Sequence, residues 1–270
     1  MFIRYISLMG ILSAAVGLLA QTPVASKSKG PASPGYLHGP IPQNPTSLGP
    51  GFLGHDIRAV IANFEKSAPG PKSEFETTEQ YEARLATSKH NQQQYVFVND
   101  PIVDAYYVGD ELNDPGEFVY NADGHRFFRT IKMYHLQGVI DGVFVLRSNT
   151  TATGQYVATN AFGVRKVVTR FVKNVYELRV TDGYFVVGDR DWSINIAVPM
   201  QVTEAISLKN HLRLAFVCTI SGSEVKREDQ TIEATASDPR EVQLHEIGLP
   251  VRIDKLWVFD SRTGGIIWRD

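Results

Sequence analysis

The residues with the chemistry to form a site are few and scattered. The seven histidines are His38, His55, His90, His125, His135, His211 and His245. No two have the spacing of a His-Glu-x-x-His helix or of a close metal-ligating pair, so each reads as surface polarity rather than a zinc ligand. Acids cluster at Asp110, Glu111 and Asp114. Oxygen-rich loops bind calcium, but the twelve-residue loop spacing is missing and Pro115 follows at once, so a solvated turn is the expectation. Asp189 and Asp191, just before Trp192, read as a charged turn and not as a catalytic carboxylate pair.

Cys218 is the single cysteine, which excludes an intrachain disulfide. Around it Leu212, Leu214, Phe216, Cys218 and Ile220 alternate onto one face of a strand, which makes Cys218 a small buried hydrophobe. Neither a histidine nor a helix start lies near it in sequence to lower the thiol pKa. Basic residues gather at Arg165, Lys166, Arg170, Lys173 and Arg179, with Phe171 and Tyr176 between them. Strand alternation distributes these charges over both faces, whereas a nucleic-acid platform needs one. They are expected to protect exposed hairpin edges. Gly-x-Ser-x-Gly, the P-loop and Gly-x-Gly-x-x-Gly are absent from the sequence. No catalytic, cofactor-binding or metal-ligating residue is therefore assigned, and no cofactor is expected.

Two segments ahead of this material have an address-like character. Residues 1–20 carry one charge, Arg4, followed by an apolar run from Ile6 to Ala20. That is the layout of a secretory signal, with cleavage after Ala20 and a mature chain from Gln21. The run is shorter than the roughly 20 apolar residues that span a bilayer, which favours cleavage over a retained anchor. Residues 21–54 hold seven of the 14 prolines and six of the 22 glycines, with Lys27 and Lys29 but no acid. This composition predicts a disordered, proline-stiffened linker. The net charge of −2 becomes −3 without the signal, because Arg4 leaves with it, so no global field draws the chain to nucleic acid or anionic lipid.

The elements that must position any site come after residue 54. Asp56 caps a short helix with the stripe Ile57, Val60, Ile61 and Phe64. Thr77 and Gln80 form a capping box for a second helix reaching about Asn91. A third is expected at about Gln201–Asn210. From Tyr95 the apolar period is two, which gives many short strands. They are Tyr95–Val98, Ile102–Val108, Glu117–Ala122, Arg126–Leu136, Val143–Arg147, Gln155–Thr159, Val164–Val172, Val175–Val180 and Tyr184–Gly188. The run continues with Trp192–Val198, Leu212–Ile220, Val242–Ile247, Leu256–Phe259 and Ile266–Trp268. Asp123-Gly124, Asp141-Gly142 and Asp182-Gly183 mark hairpin turns. The parity of apolar residues changes between Phe171 and Tyr176, which predicts a bulge or turn near Lys173-Asn174. Residues 221–240 read as a long polar loop and a possible subdomain boundary. Phe118–Gly124 and Trp257–Gly264 echo each other, as two strands each entering an Asx-containing turn.

The Phe75-Glu-Thr-Thr helix start and the Asn160-Ala-Phe-Gly163 segment resemble exported bacterial proteins of unassigned function; the resemblance covers two short segments and transfers no active residue. The expectation is an α+β domain over 55–270, predominantly antiparallel β, with two N-terminal helices and one near 201–210. Its expected role is a non-catalytic binding or scaffolding module, periplasmic or extracellular, with a protein or cell-envelope component as partner, no nucleic acid and no membrane span in the mature chain. The alternative is a secreted hydrolase-like enzyme with a site assembled from distant loops.

Overall fold

The structure is a computed structural model that describes residues 35–41, 44–99, 118–132, 134–135, 142–159, 162–182 and 193–270. Residues 1–20, read as a signal, Asp110–Asp114, Asp189, Asp191 and the Ile102–Val108 and Tyr184–Gly188 strand expectations lie outside them. No helix among the described residues is long and apolar enough to cross a membrane.

The chain is strand-rich, with few helices. Helix α1 (Ile57–Ser67) starts at Asp56, whose carboxylate accepts from the Arg58 amide at 3.1 Å, and its stripe Ile57, Val60, Ile61 and Phe64 is buried. Helix α2 (Thr78–Thr87) has the expected capping box: Thr77 Oγ1 accepts from the Gln80 amide at 3.2 Å, and Gln80 Oε1 from the Thr77 amide at 2.9 Å. A break at Ser88 separates it from α3 (Lys89–Gln92), so the helix expected to reach Asn91 is two. Helix α4 (Val202–Leu208) is shorter than expected and buries Ala205 and Leu208.

The strands are β1 (Gln94–Asn99), β2 (Val119–Asn121), β3 (Arg126–Lys132), β4 (Tyr134–His135), β5 (Gly142–Thr159), β6 (Arg165–Asp182), β7 (Ser193–Pro199), β8 (Leu212–Ile220), β9 (Lys226–Ile232), β10 (Arg240–Asp260) and β11 (Ile266–Arg269). Eight of them form one sheet in the order β1-β8-β10-β6-β5-β4, with β9 and β11 also on β10; β2-β3-β7 make a second, three-stranded sheet. Every pairing is antiparallel except β6 with β10, so the large sheet is mixed.

Three expectations change. Strands expected as separate fuse: β5, β6 and β10 run for 18, 18 and 21 residues. Long strands survive polar stretches such as Ser148–Gly154 because ladder hydrogen bonds do not depend on side-chain polarity. Strand β6 has no break near Lys173; its ladder with β10 runs unshifted from Thr169 to Val180. The parity change reflects surroundings instead. Val167 is exposed at the outer end, whereas Val175 and Leu178, on opposite faces, are both buried further in. The polar run 221–240 contains β9, which pairs with β10 from Ile232 to Lys226 and continues the path of β8 along it.

The inner face of the large sheet packs on α1, α4 and the second sheet through one cluster that includes Phe64, Phe127, Ile196, Phe216, Leu249 and Val258. Cys218 lies in it, fully buried, and burial pushes its thiol well above the usual range. A register shift between Ile253 and Lys255 keeps the facing correct: Ile253 before it and Leu256 and Val258 after it all reach the same core. Asp254, at the shift, accepts from Thr219 Oγ1 at 2.5 Å, Gln94 Nε2 at 3.1 Å and Arg252 Nε at 2.9 Å. The two echoing segments are both hairpins whose turns are held by an Asx side chain: Asn121 accepts from the Gly124 amide, three residues on, and Asp260 makes an Asx turn with the Arg262 amide.

The described part of the segment read as a linker lies on the outer face of the sheet. Val96, Ala215, Val217, Trp257 and Phe259 form a second apolar cluster there, covered by Ile41, Leu48 and Phe52. Leu48 N donates to Gly264 O and Gly51 N to Ser261 O, both at 2.8 Å. Composition predicted disorder because the apolar residues here are isolated. Ile41, Leu48 and Phe52 each pack on the sheet's outer cluster, so the described segment needs no core of its own.

Candidate functional site

The strap (described residues 36–41 and 44–54), α1, β1 and β5 line a half-open cavity of about 410 Å³, within the usual range for small-molecule sites. Its walls are apolar: Phe52, Leu53, Ile57, Phe97, Val98 and Leu146. Tyr36, His55, Asp56, Arg147 and Arg213 contribute the main polar groups, and Ser148 and Ser261 add hydroxyls.

Local structure sets each of these groups. Gly54 has φ +68 and pairs with Phe97, so close to β1 that a Cβ would lie 2.5 Å from Val96 O; only glycine lets the strap turn into α1 here. The next residue, His55, is buried. Its Nδ1 accepts from the Val96 amide at 2.9 Å, which places the ring proton on Nε2, where it is donated to Gly39 O at 3.1 Å. Burial lowers the His55 pKa, with nearby His38 acting in the same direction. Both ring nitrogens are thus spent on tying the strap to β1.

Asp56 is the cap of α1. Arg58 Nε and Nη2 donate to its two oxygens at 3.1 and 2.8 Å, and this hydrogen bonding holds the carboxyl below the usual range. Arg147 follows a register shift in β5, between Val145 and Arg147, that brings both Leu146 and Arg147 to the cavity. Its guanidinium donates to Tyr36 Oη, lies over the Tyr36 ring and stands 4.0 Å from Asp56. Arg213 donates only to two backbone carbonyls, Asn210 O and Leu212 O. The cavity therefore holds two guanidiniums against one carboxylate, and Arg58 already satisfies that carboxylate. Among the described residues no histidine or carboxylate bonds to Ser148 or Ser261, so neither hydroxyl has a base to activate it.

A second concentration of charge lies on the outer face of β6, β9 and β10. Arg179 donates to Glu177 at 2.7 Å and to Glu228 at 2.6 Å. Glu177 and Arg179 are almost fully buried, while the Glu228 side chain is half exposed. Burial pushes the Glu177 carboxyl up to about 7, against the pull of Arg179. Gly248 makes room for the pair, since a Cβ there would lie 2.5 Å from Arg179 Nε. Arg179 Nη2 is buried without a hydrogen-bond partner.

Among the described residues His55 is the histidine that reaches the cavity. His90 bridges Ser67 and Tyr95 at 2.7 and 2.9 Å, and His245 bonds Asp229 on the surface at 2.6 Å. Among the described residues no cluster of three or more His, Cys, Asp or Glu could hold a metal ion. The basic residues of β6 separate as strand alternation requires: Arg170 pairs with Glu241 at 2.8 Å, while Arg179 is buried. Sequence reasoning missed Tyr36, Arg147 and Arg213, which lie far apart along the chain. It also missed Glu177, although two charges flanking Leu178 in an apolar strand were a visible signal. The chain matches no known protein family, no curated protein and no solved structure.

Proposed function

We propose that this chain is an exported, non-catalytic binding module of the cell envelope, and that the cavity under the strap receives a small organic anion with an apolar body. The export part rests on the layout of residues 1–20. The ligand part rests on one observation: an apolar-walled cavity faced by Arg147 and Arg213, whose only carboxylate is already neutralised by Arg58. An anion entering it meets excess positive charge and the Tyr36 hydroxyl, while its body displaces water from Phe52, Leu53 and Phe97. His55 supports binding over hydrolysis, because both its nitrogens are engaged by the backbone and it holds no proton-transfer capacity for a bound molecule.

Isothermal calorimetry with octanoate and octanol tests this. Octanoate is expected to bind at least about tenfold more tightly than octanol, the order of one charge-assisted hydrogen bond. Arg147→Gln with Arg213→Gln should remove that preference while leaving octanol unchanged. Equal binding of acid and alcohol, or no binding of either, rejects the reading.

A further inference from the structure

The hairpin of β5 and β6 extends past the rest of the sheet. Strand β10 joins β6 only from Thr169 onward, so Arg165–Val168 and their partners Val157–Thr159 and Tyr156 form a two-stranded ribbon. At about 3.4 Å per residue the ribbon carries its end roughly 15 Å beyond the last three-stranded rung. The end is apolar and open to solvent. Phe162 is 92% exposed, Val164 57%, Val167 55% and Val157 51%. Val157 and Val167 face each other across the ladder on one face, and Tyr156 with Val168 on the other. Val168 is buried and the Tyr156 hydroxyl donates to Glu241, so the exposed apolar groups lie at the tip and on the Val157–Val167 face.

The charge is equally one-sided. From Gly142 to Tyr176 the sequence has five basic residues, Arg147, Arg165, Lys166, Arg170 and Lys173, and no acid in 35 residues. Acids from the neighbouring strand compensate only the base of the ribbon: Glu241 takes Arg170 and the Tyr156 hydroxyl, and Asp238 takes Arg240. Glu233 is the other acid nearby, acting on Tyr156. Lys166 is held by a backbone carbonyl, Ala236 O, which leaves its charge intact. Apolar side chains at the extremity with cations immediately behind them match the two layers of an anionic lipid surface, acyl chains below and headgroups above. The near-neutral net charge does not oppose this, because screening confines the interaction to about a Debye length from the tip.

We infer that the β5–β6 ribbon docks the protein on an anionic lipid surface, inserting Phe162 and Val164 at the interface with Arg165 and Lys166 among the headgroups. This docking is independent of what fills the cavity. The test is co-sedimentation of the mature chain with vesicles of phosphatidylcholine, with and without phosphatidylglycerol. Binding is expected only to the anionic vesicles and should weaken with added salt. Phe162→Asp with Val164→Asp should abolish it. Arg165→Gln with Lys166→Gln should weaken it about fivefold for each charge removed. Phe162 is exposed, so the midpoint of thermal unfolding should not change, which separates loss of docking from loss of fold. Equal binding to neutral vesicles, no binding to either, or full binding by the Phe162→Asp/Val164→Asp variant overturns the inference. So does capture of an acidic protein through the tip in the absence of vesicle binding.

Discussion

The outer face of the large sheet is buried in two different ways at its two ends. Around Trp257 and Phe259 it is apolar, and the strap seals it with Ile41, Leu48 and Phe52. Around Glu177 and Arg179 it is equally buried but ionic, with one guanidinium shared between two carboxylates. The same strand, β10, runs beneath both. The difference is one of cost. Apolar burial is favourable in proportion to area, whereas an ion pair loses hydration that its own attraction only partly restores. The apolar end should hold the fold together, and the ionic end should make its stability depend on pH.

The largest effect should come from the apolar end. Trp257→Ala removes a fully buried indole from beneath the strap and is expected to cost about 3–5 kcal/mol, measured by denaturant unfolding. Limited proteolysis should then cut first within residues 36–54. If the strap stays protected, its packing does not depend on this cluster and the contrast between the two ends weakens.

At the ionic end, Glu177 is an acid whose pKa is raised in the folded state, to about 7. The folded chain therefore binds more protons than the unfolded chain between the ordinary carboxylate range and pH 7. The stabilisation is complete below that range and is lost as the pH rises through 7. The span corresponds to about 3 kcal/mol. Glu177→Gln should flatten this slope and leave the protein relatively more stable at pH 8. An unchanged pH profile in the Glu177→Gln variant would show that the slope has another origin.

His55 gives the smallest effect, of opposite sign. Burial lowers its pKa, so the unfolded state takes up a proton first as the pH falls below about 6.5. Stability from this group is present above that pH and declines below it. Protonation also ends the bond that Nδ1 accepts from the Val96 amide. The protection of the Val96 amide, its exchange rate relative to the intrinsic rate at each pH, should fall on acidification, by an amount consistent with about 1 kcal/mol. An unchanged Val96 protection factor down to pH 5 would mean that the latch does not rest on His55.

Local features were legible where neighbouring residues alone decide the conformation. The Asp56 cap, the Thr77–Gln80 box and the α1 stripe needed no distant partner, and alternation alone marked the span Leu212–Ile220 even though β1 and β10 complete its ladder. Strand continuity was not legible. Ser148–Gly154 and Lys226–Ile232 look like loops because their side chains are polar, and they are strands because neighbours complete their ladders. The cavity was hidden for a similar reason. Tyr36, Arg147 and Arg213 have no common spacing, and only the strap crossing the end of β1 brings them together.

The sequence by itself determined the alternation that makes this a β-rich chain, the burial of Cys218, the helix caps and the signal-like layout of residues 1–20. Each follows from periodicity or from contacts a few residues long. Only the tertiary structure decided that Ile41, Leu48 and Phe52 of the proline-rich segment cover a sheet, that Glu177 is buried, and that two arginines line an apolar cavity. Burial is a property of what packs against a face, and in this chain the packing partners come from distant parts of the sequence.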